Sequence, residues 1–203
     1  MKEFWNNRYK INDSAYGYEP NEYFKKQIEH LKPGKILLPA EGEGRNAIFA
    51  SKLGWAVSAF DMSEQGKYKA DKLANQNNVK IDYVVGEFEE LKYKENQFDA
   101  IGLIYAHFSA EKKSKYHKIL DTYLKTGGTI IFEAFSKSNL ELNTKNINTN
   151  GPKKIDALFS LDEIKNDFKN YEIIELKEEK INLDEGKFHK GISSIIRFVG
   201  KKM

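Results

Sequence analysis

The sequence predicts an α/β fold, a mostly parallel sheet with helices between its strands, and three observations carry that expectation. Residues Lys35 to Asp61 read as strand, glycine-rich turn, helix, strand and a closing acid. Strand-like and helix-like stretches then alternate as far as Phe132. The last third changes texture: Tyr171–Lys177 and Ser193–Val199 alternate or run apolar and are joined by a charged hairpin through Gly186, Phe188, His189 and Gly191. Two antiparallel strands at the edge of the sheet suit that pattern better than further strand–helix repeats.

Taken in order, Phe4 to Tyr18 is aromatic and polar, with Phe4, Trp5, Arg8, Tyr9, Tyr16 and Tyr18 around Gly17. So many large apolar side chains argue against a frayed tail. Residues 1–20 are expected to fold back as a cover over the ligand crevice or to pack plainly against the domain. Pro20-Asn21 opens a helix over Glu22–Leu31, whose Phe24, Ile28 and Leu31 recur at helical spacing, and Pro33-Gly34 ends it. Ile36 to Ala40 is the first strand. Asn46 to Lys52 is a short helix with Ile48, Phe49 and Leu53 inward, closed by Gly54, and the second strand ends at Asp61. Ser63 caps a helix reaching about Asn77. Lys80 to Val85 is the third strand, with Gly86-Glu87-Phe88 at its carboxyl end.

Phe98 to Tyr105 is the fourth strand and emerges at Ala106-His107-Phe108; Asp99, at its other end, reads as structural. Ser109 caps an amphipathic helix through Lys125 whose Tyr116, Ile119, Leu120 and Tyr123 form the buried stripe. Gly127-Gly128 turns into a fifth strand, Thr129 to Phe132, followed by Glu133-Ala134-Phe135. Ser136 to Pro152 has no sustained period and reads as a long connection beside the crevice, a length that suits a lid or binding loop. Ser160-Leu161-Asp162-Glu163 is a capping box for a short helix ending near Phe168.

At 203 residues one domain is expected, and 33 basic against 30 acidic residues leave a near-balanced net charge of +3, which neither indicates nor excludes nucleic-acid binding. The absence of cysteine removes disulfides, thiolate metal sites and a cysteine nucleophile together. No apolar signal segment or membrane-length run is present, so the cytoplasm is the expected address. The histidine spacing provides no zinc site, and no Gly-Lys-Ser/Thr follows the turn to make a P-loop.

Gly42 and Gly44, with Ala47 three further on, satisfy the G-x-G-x-x-G/A pattern, and Asp61 arrives where a ribose-binding carboxylate belongs. Gly42 supplies backbone angles closed to other residues, and Gly44 is expected to leave the turn open to a ligand. The pattern alone fits NAD, FAD and S-adenosylmethionine. Glu41 before the turn and Glu43 within it would repel a diphosphate at the helix N-terminus, whereas an acidic rim suits a cationic sulfonium and amino group; the plainer reading is two solvated loop acids. Glu87 could accept from an adenine amine with Phe88 stacking or packing beside it, and the plainer reading is a surface turn. Tyr105 and His107, just past a strand end, are pocket candidates.

These residues resemble a known family. With Phe4-Trp5-Asn6-Asn7-Arg8-Tyr9, Tyr16-Gly17-Tyr18-Glu19-Pro20-Asn21, Ala40-Glu41-Gly42-Glu43-Gly44-Arg45-Asn46, Asp61-Met62-Ser63, Gly86-Glu87, Phe98-Asp99, Gly127-Gly128, Glu133-Ala134-Phe135 and Glu185-Gly186 through Gly191, the chain is similar to class I S-adenosylmethionine-dependent methyltransferases, specifically the small tellurite-resistance or thiopurine-methyltransferase-like branch. The resemblance implies a Rossmann-like seven-stranded mixed sheet with its last strand antiparallel and helices on both faces. It implies that Glu41, Gly42 and Gly44 line the methionine and ribose portion of the cofactor, with Arg45 beside them where the commoner loop has glycine. Asp61 would hold the ribose hydroxyls, Met62 would pack on the adenine, and Glu87 with Phe88 would close the adenine pocket, near Tyr105.

Methyl transfer is a direct displacement at roughly 3–3.5 Å, so alignment dominates and a base is needed only when the acceptor must lose a proton. His107 and His189 are the candidate bases, with packing roles as the alternative. Arg8 could orient an anionic substrate or the cofactor carboxylate, and Tyr16 is a comparable candidate. His30 and His117 fall on helices away from the strand ends. An amino-methylating nucleic-acid enzyme would carry Asn/Asp-Pro-Pro-Tyr/Phe after the fourth strand, where this chain has Tyr105-Ala106-His107-Phe108. The expected partner is therefore a small-molecule acceptor, with sulfur, selenium or tellurium compounds implied by the resemblance, no nucleic acid and no membrane, in a monomer or weak homodimer. The rival readings are an NAD-dependent oxidoreductase and a non-catalytic S-adenosylmethionine-binding protein.

Overall fold

Seven strands form one sheet in the order β3-β2-β1-β4-β5-β7-β6. The computed structural model describes residues 1–145 and 151–203 of the chain. The strands are β1 (Lys35–Pro39), β2 (Ala56–Asp61), β3 (Asp82–Val85), β4 (Phe98–Ile104), β5 (Leu124–Phe135), β6 (Tyr171–Asp184) and β7 (Lys190–Lys202). The first five pair in parallel, while β7 runs antiparallel to both β5 and β6. Strand order reverses between β1 and β4, and the crevice outside the carboxyl ends at such a switch point is where ligands of open α/β sheets bind.

Both faces of the sheet are covered, and the strand sequences show why. Leu37 points to one side, with Ile101, Phe132 and Phe198, and packs against Tyr116 and Leu120 of α5 (Ala110–Tyr123) and Ile164 of α7 (Leu161–Asp167). Its neighbours Ile36 and Leu38 point to the other side and meet Phe24 and Ile28 of α2 (Glu22–Ile28), Ala47 and Ala50 of α3 (Arg45–Lys52) and Ala70 of α4 (Glu64–Gln76). Strands buried on both sides need continuous apolar runs rather than alternation. That is how β1, β4 and the centre of β5 read.

The N-terminal segment, whose secondary structure the sequence left open, is helical over Lys2–Ile11 (α1) and packs on α4. Two local expectations are corrected. The helix after Ser109 stops at Tyr123, and β5 starts at Leu124, earlier than the Gly127-Gly128 pair indicates, because the last turn passes directly into strand geometry. The expected 136–152 loop contains a helix, α6 (Asn139–Lys145), and residues 146–150 lie outside the described set. Ser63 and Ser160 cap their helices as the sequence indicates, accepting from Gly66 N and Glu163 N. Ser109 makes no side-chain capping bond. Asp99 is structural: it accepts from Lys35 N and pairs with Lys125 at the end of the sheet opposite the crevice.

Candidate active site

Four strand ends converge on the crevice, and two of them carry backbone strain. Ala40, after β1, and Tyr105, after β4, have φ of 53° and 50°, a region that costs side-chain-bearing residues energy and is held only where surroundings fix it. For Tyr105 the fixing bond is its N–H, which donates to the Glu133 carbonyl at 2.7 Å.

The glycine turn and the end of β2 form the first half of the site. Asp61, 6% exposed, accepts from Gly42 N at 3.1 Å and from Ser63 N at 2.9 Å, one bond on each carboxylate oxygen. Each oxygen keeps a lone pair for a hydroxyl. Tyr83 lies under the turn and donates to the Gly42 carbonyl at 2.7 Å. Tyr9 of α1 lies over it: a Cβ on Gly42 would sit 2.6 Å from the Tyr9 hydroxyl oxygen. A ligand laid against Gly42 must therefore displace that ring. Gly44 serves a different purpose from the one the sequence indicates. Its φ is 88°, and a Cβ there would sit 2.6 Å from Ala70 Cβ, so its missing side chain lets α4 approach the turn.

The acids divide. Glu41 Oε1 accepts from Ala47 N at 2.8 Å, so the first turn of α3 is capped by the protein's own carboxylate. A pyrophosphate needs free N–H groups and positive potential there, and this helix end offers it a carboxylate instead. Glu43 forms no open acidic rim. It is paired with Lys69 at 2.8 Å and accepts from Ala15 N at 2.8 Å, while Lys69 also holds the Asn12 and Asp13 carbonyls. The residue thus pins the N-terminal segment. Arg45 does likewise: its guanidinium donates to the Tyr16 and Glu19 carbonyls and pairs with Glu185 at 2.7 Å, turned away from the turn. Met62 is half-buried beside Asp61, and Glu87 is exposed, its N–H donating to Glu90 Oε2. Phe88 is core rather than an adenine platform, stacked at 4.1 Å on Tyr116 and edge-on to Phe60 and Phe108.

Burial raises both remaining carboxyls against their backbone N–H donors, Glu41 to about 7 and Asp61 to about 6. A carboxyl whose folded pKa lies above its unfolded value stabilises the fold below the unfolded pKa and loses that contribution as pH rises through the folded one. Glu41 therefore weakens the ligand-free protein between about pH 4.5 and 7. Glu41→Gln is expected to narrow the wild-type loss of thermal stability across that window, as read by melting curves at pH 5 and pH 8; parallel curves for both proteins would contradict it.

The second half of the site is aromatic. His189, 6% exposed, packs its ring 4.6 Å from Tyr16 and 4.3 Å from Tyr105. Phe135 stands 4.8 Å from Tyr105 and 5.7 Å from His107. Arg8 donates to the Tyr16 hydroxyl at 2.8 Å and lies over the rings of Phe4, Trp5 and Phe188. Tyr105, His107, His189, Tyr16 and Arg8 are thus one cluster. His107 Nδ1 faces the Ala157 carbonyl at 3.1 Å, which marks it as the protonated nitrogen; burial lowers the ring's pKa to about 4, and Nε2 is buried without a partner. The Tyr105 hydroxyl is buried beside the Glu133 carboxylate. A buried ring nitrogen without a partner, as at His107, suits a polar ligand atom. His30 is exposed at the end of α2, and His117 is buried on Asp167 at 2.7 Å.

Sequence reasoning missed Tyr9, Glu185, and the chain Asn21–Glu133–Arg197. Asn21 Nδ2 donates to Glu133 at 2.7 Å and Glu185 at 2.9 Å, and Arg197 Nε donates to Glu133 at 2.7 Å. A signal was present: Glu133 and Arg197 each interrupt an apolar strand run, and a buried charge in such a run demands a partner. Among the described residues no group of three or more His, Cys, Asp or Glu could hold a metal, and no helix is long and apolar enough to cross a membrane.

Residues 37–132, which span β1 to β5, match the sequence profile of the methyltransferase domain family. Residues 37–132 thus carry a methyltransferase domain, and an S-adenosylmethionine-dependent methyltransferase is the enzyme that this match supports. The match covers the sheet and turn that carry Gly42 and Asp61. Solved structures resemble this chain over most or all of its length. One, described under the conversion of a disulfide bond into a thioacetal group during echinomycin biosynthesis, shares 16% identity over 100% of this chain and 92% of its own, with a TM-score of 0.78. TehB from Haemophilus influenzae shares 16% over 100% of this chain and 67% of its own, TM-score 0.72. A SAM-dependent methyltransferase from Methanosarcina mazei shares 15% over 91% and 99%, TM-score 0.71. At such identities the likeness is one of fold. A comparison with curated protein sequences finds no significant match.

The site's donor set fits this cofactor. It combines a carboxylate with free lone pairs for a vicinal diol, a helix end closed to phosphate, and a carboxyl, Glu41, whose burial a cationic ligand would offset.

Proposed function

We propose that this chain transfers a methyl group to a small anionic acceptor, within the tellurite-resistance or thiopurine-methyltransferase-like branch that its motifs resemble. The observation that carries the reading is Arg8. Arg45 and Arg197 each have a carboxylate at 2.7 Å, whereas Arg8 pairs with none among the described residues. Its cation is held by three aromatic faces and one phenol oxygen beside His189. A half-buried guanidinium with unused donors is suited to a carboxylate or another oxyanion.

Bound S-adenosylmethionine supplies an electrophilic methyl group on a cationic sulfur. Asp61 would accept from its ribose hydroxyls, with Met62 and the turn around Gly42 beside them, and Glu41 would offset its positive charge. Arg8 fixes the anionic group of the acceptor, and His107 Nε2 hydrogen-bonds one of its polar atoms. His189 receives the proton when the acceptor has one to lose. Cover segment and hairpin meet over this space, with Lys187 N and Phe188 N donating to the Ala15 carbonyl, which favours a small acceptor over a polymer.

The test is a screen with labelled S-adenosylmethionine across thiols, thiopurines, metalloid oxyanions and uncharged analogues, in wild type and Arg8→Met. Turnover is expected on an anionic acceptor, with Arg8→Met raising its KM roughly 10–100-fold, the worth of one charge-assisted contact of about 1.5–3 kcal/mol. Turnover on nucleic acid alone, or equal loss on charged and uncharged acceptors, would contradict the proposal.

A further inference from the structure

The hairpin between β6 and β7 brings a carboxylate that neither the fold nor the cofactor explains. Glu185 N donates to the His189 carbonyl at 2.7 Å and closes the turn. Its side chain is only 11% exposed and points inward, where three elements meet it. Oε2 lies 2.7 Å from Arg45 Nη2 of α3 and 3.5 Å from His189 Nδ1, and Oε1 accepts from Asn21 Nδ2 at 2.9 Å. The turn is held from outside as well: Gly186 has φ of 68°, and a Cβ on it would run into Gly17 N of the N-terminal segment. The hairpin backbone is thus packed against that segment, while Arg45 and Asn21 hold the carboxylate itself.

We propose that Glu185 is a positioning residue: it fixes the orientation and tautomer of His189 for the methyl acceptor and, through Arg45, ties that orientation to the glycine turn. A carboxylate only accepts hydrogen bonds, so the His189 nitrogen facing it carries the proton and Nε2 keeps the lone pair. Burial raises the Glu185 carboxyl, but His189 and Arg45 outweigh it and hold it at about 2, so the acceptor is ionised throughout the working range. The charged or titratable groups facing His189 are Glu185 from the hairpin, Arg45 from α3, Arg8 from α1, Tyr16 from the cover segment, Tyr105 past β4 and His107. Glu185 is the one anion among them, and it favours the protonated ring, against burial and the two arginines.

The inference rests on the proposed role of His189 as proton acceptor, and its test separates the two. Ring resonances of the four histidines are titrated by NMR in the cofactor-free protein, with His189→Gln for assignment, and S-adenosylhomocysteine binding is measured by calorimetry. Glu185→Gln is expected to move the His189 titration to lower pH and to cut kcat roughly tenfold, with KM and S-adenosylhomocysteine affinity changed less than about threefold. The acid limb of the pH–rate profile should shift down with it, and Glu185→Asp should restore part of both. If Glu185→Gln does not fold, Glu185→Asp is read by the same titration, with a smaller shift in the same direction. An unmoved His189 titration in a folded variant, or lost rate with an unmoved acid limb, would reduce Glu185 to a strut for Arg45. An intact Glu185–His189 linkage in a protein whose rate does not depend on His189 would overturn the base assignment and leave the positioning contact standing.

Discussion

Asp61→Asn is expected to weaken S-adenosylhomocysteine binding about 100-fold, from the loss of about 3 kcal/mol in two charge-assisted hydrogen bonds to the ribose diol. Asp61 is suited to that duty because its oxygens are fixed by Gly42 N and Ser63 N, and a fixed acceptor pair loses little freedom when a ligand arrives. An amide in its place must turn an NH2 group toward one of those two N–H donors, so the variant loses the charge and the alignment together. Calorimetric titration measures the loss, with circular dichroism to show that the fold persists. An affinity within about threefold of wild type would remove Asp61 from the site, being less than 1 kcal/mol.

Arg197→Met is expected to cost about 3–5 kcal/mol of stability, the usual result of removing one partner from a buried ion pair. Glu133 is fully buried, and Arg197 Nε at 2.7 Å is its only cation among the described residues; the guanidinium also meets Glu179 and lies 4.7 Å from the Tyr23 ring centre. Asn21 alone cannot neutralise the carboxylate that remains. At about 2–4 °C per kcal/mol for a chain of this size, the melting temperature should fall by roughly 10 °C. Adding Glu133→Gln should recover part of the loss, because it removes the orphaned charge. A single-variant loss below about 1 kcal/mol would mean that Glu133 takes up a proton at little cost.

What could be read from the sequence was the part set by local spacing. Leu37 between Ile36 and Leu38, the Gly42–Gly44 turn and Asp61 at a strand end follow from short-range rules, and they located the sheet and the crevice. Long-range pairing was not legible in this way. Glu43 read as an acid offered to a ligand or as a solvated loop acid, because nothing nearby in sequence shows that Lys69, on α4, will neutralise it. Arg45 read as part of a cofactor loop, and its partner Glu185 lies 140 residues away. Phe88 read as stacking on a ligand or packing beside it, because an aromatic ring after a strand end looks the same whether it meets adenine or, as here, Tyr116. Tyr9 was legible as an apolar residue of a covering segment, while its seat on Gly42 depends on the docking of α1 against α4.

A direct comparison of two ligands bears hardest on the claim that the turn receives a ribose without a phosphate. Calorimetric titration of the wild-type chain with S-adenosylhomocysteine and, separately, with NADH should give saturable binding of the first and none of the second, because Glu41 already occupies the end of α3. Saturable NADH binding with no uptake of S-adenosylhomocysteine would contradict it.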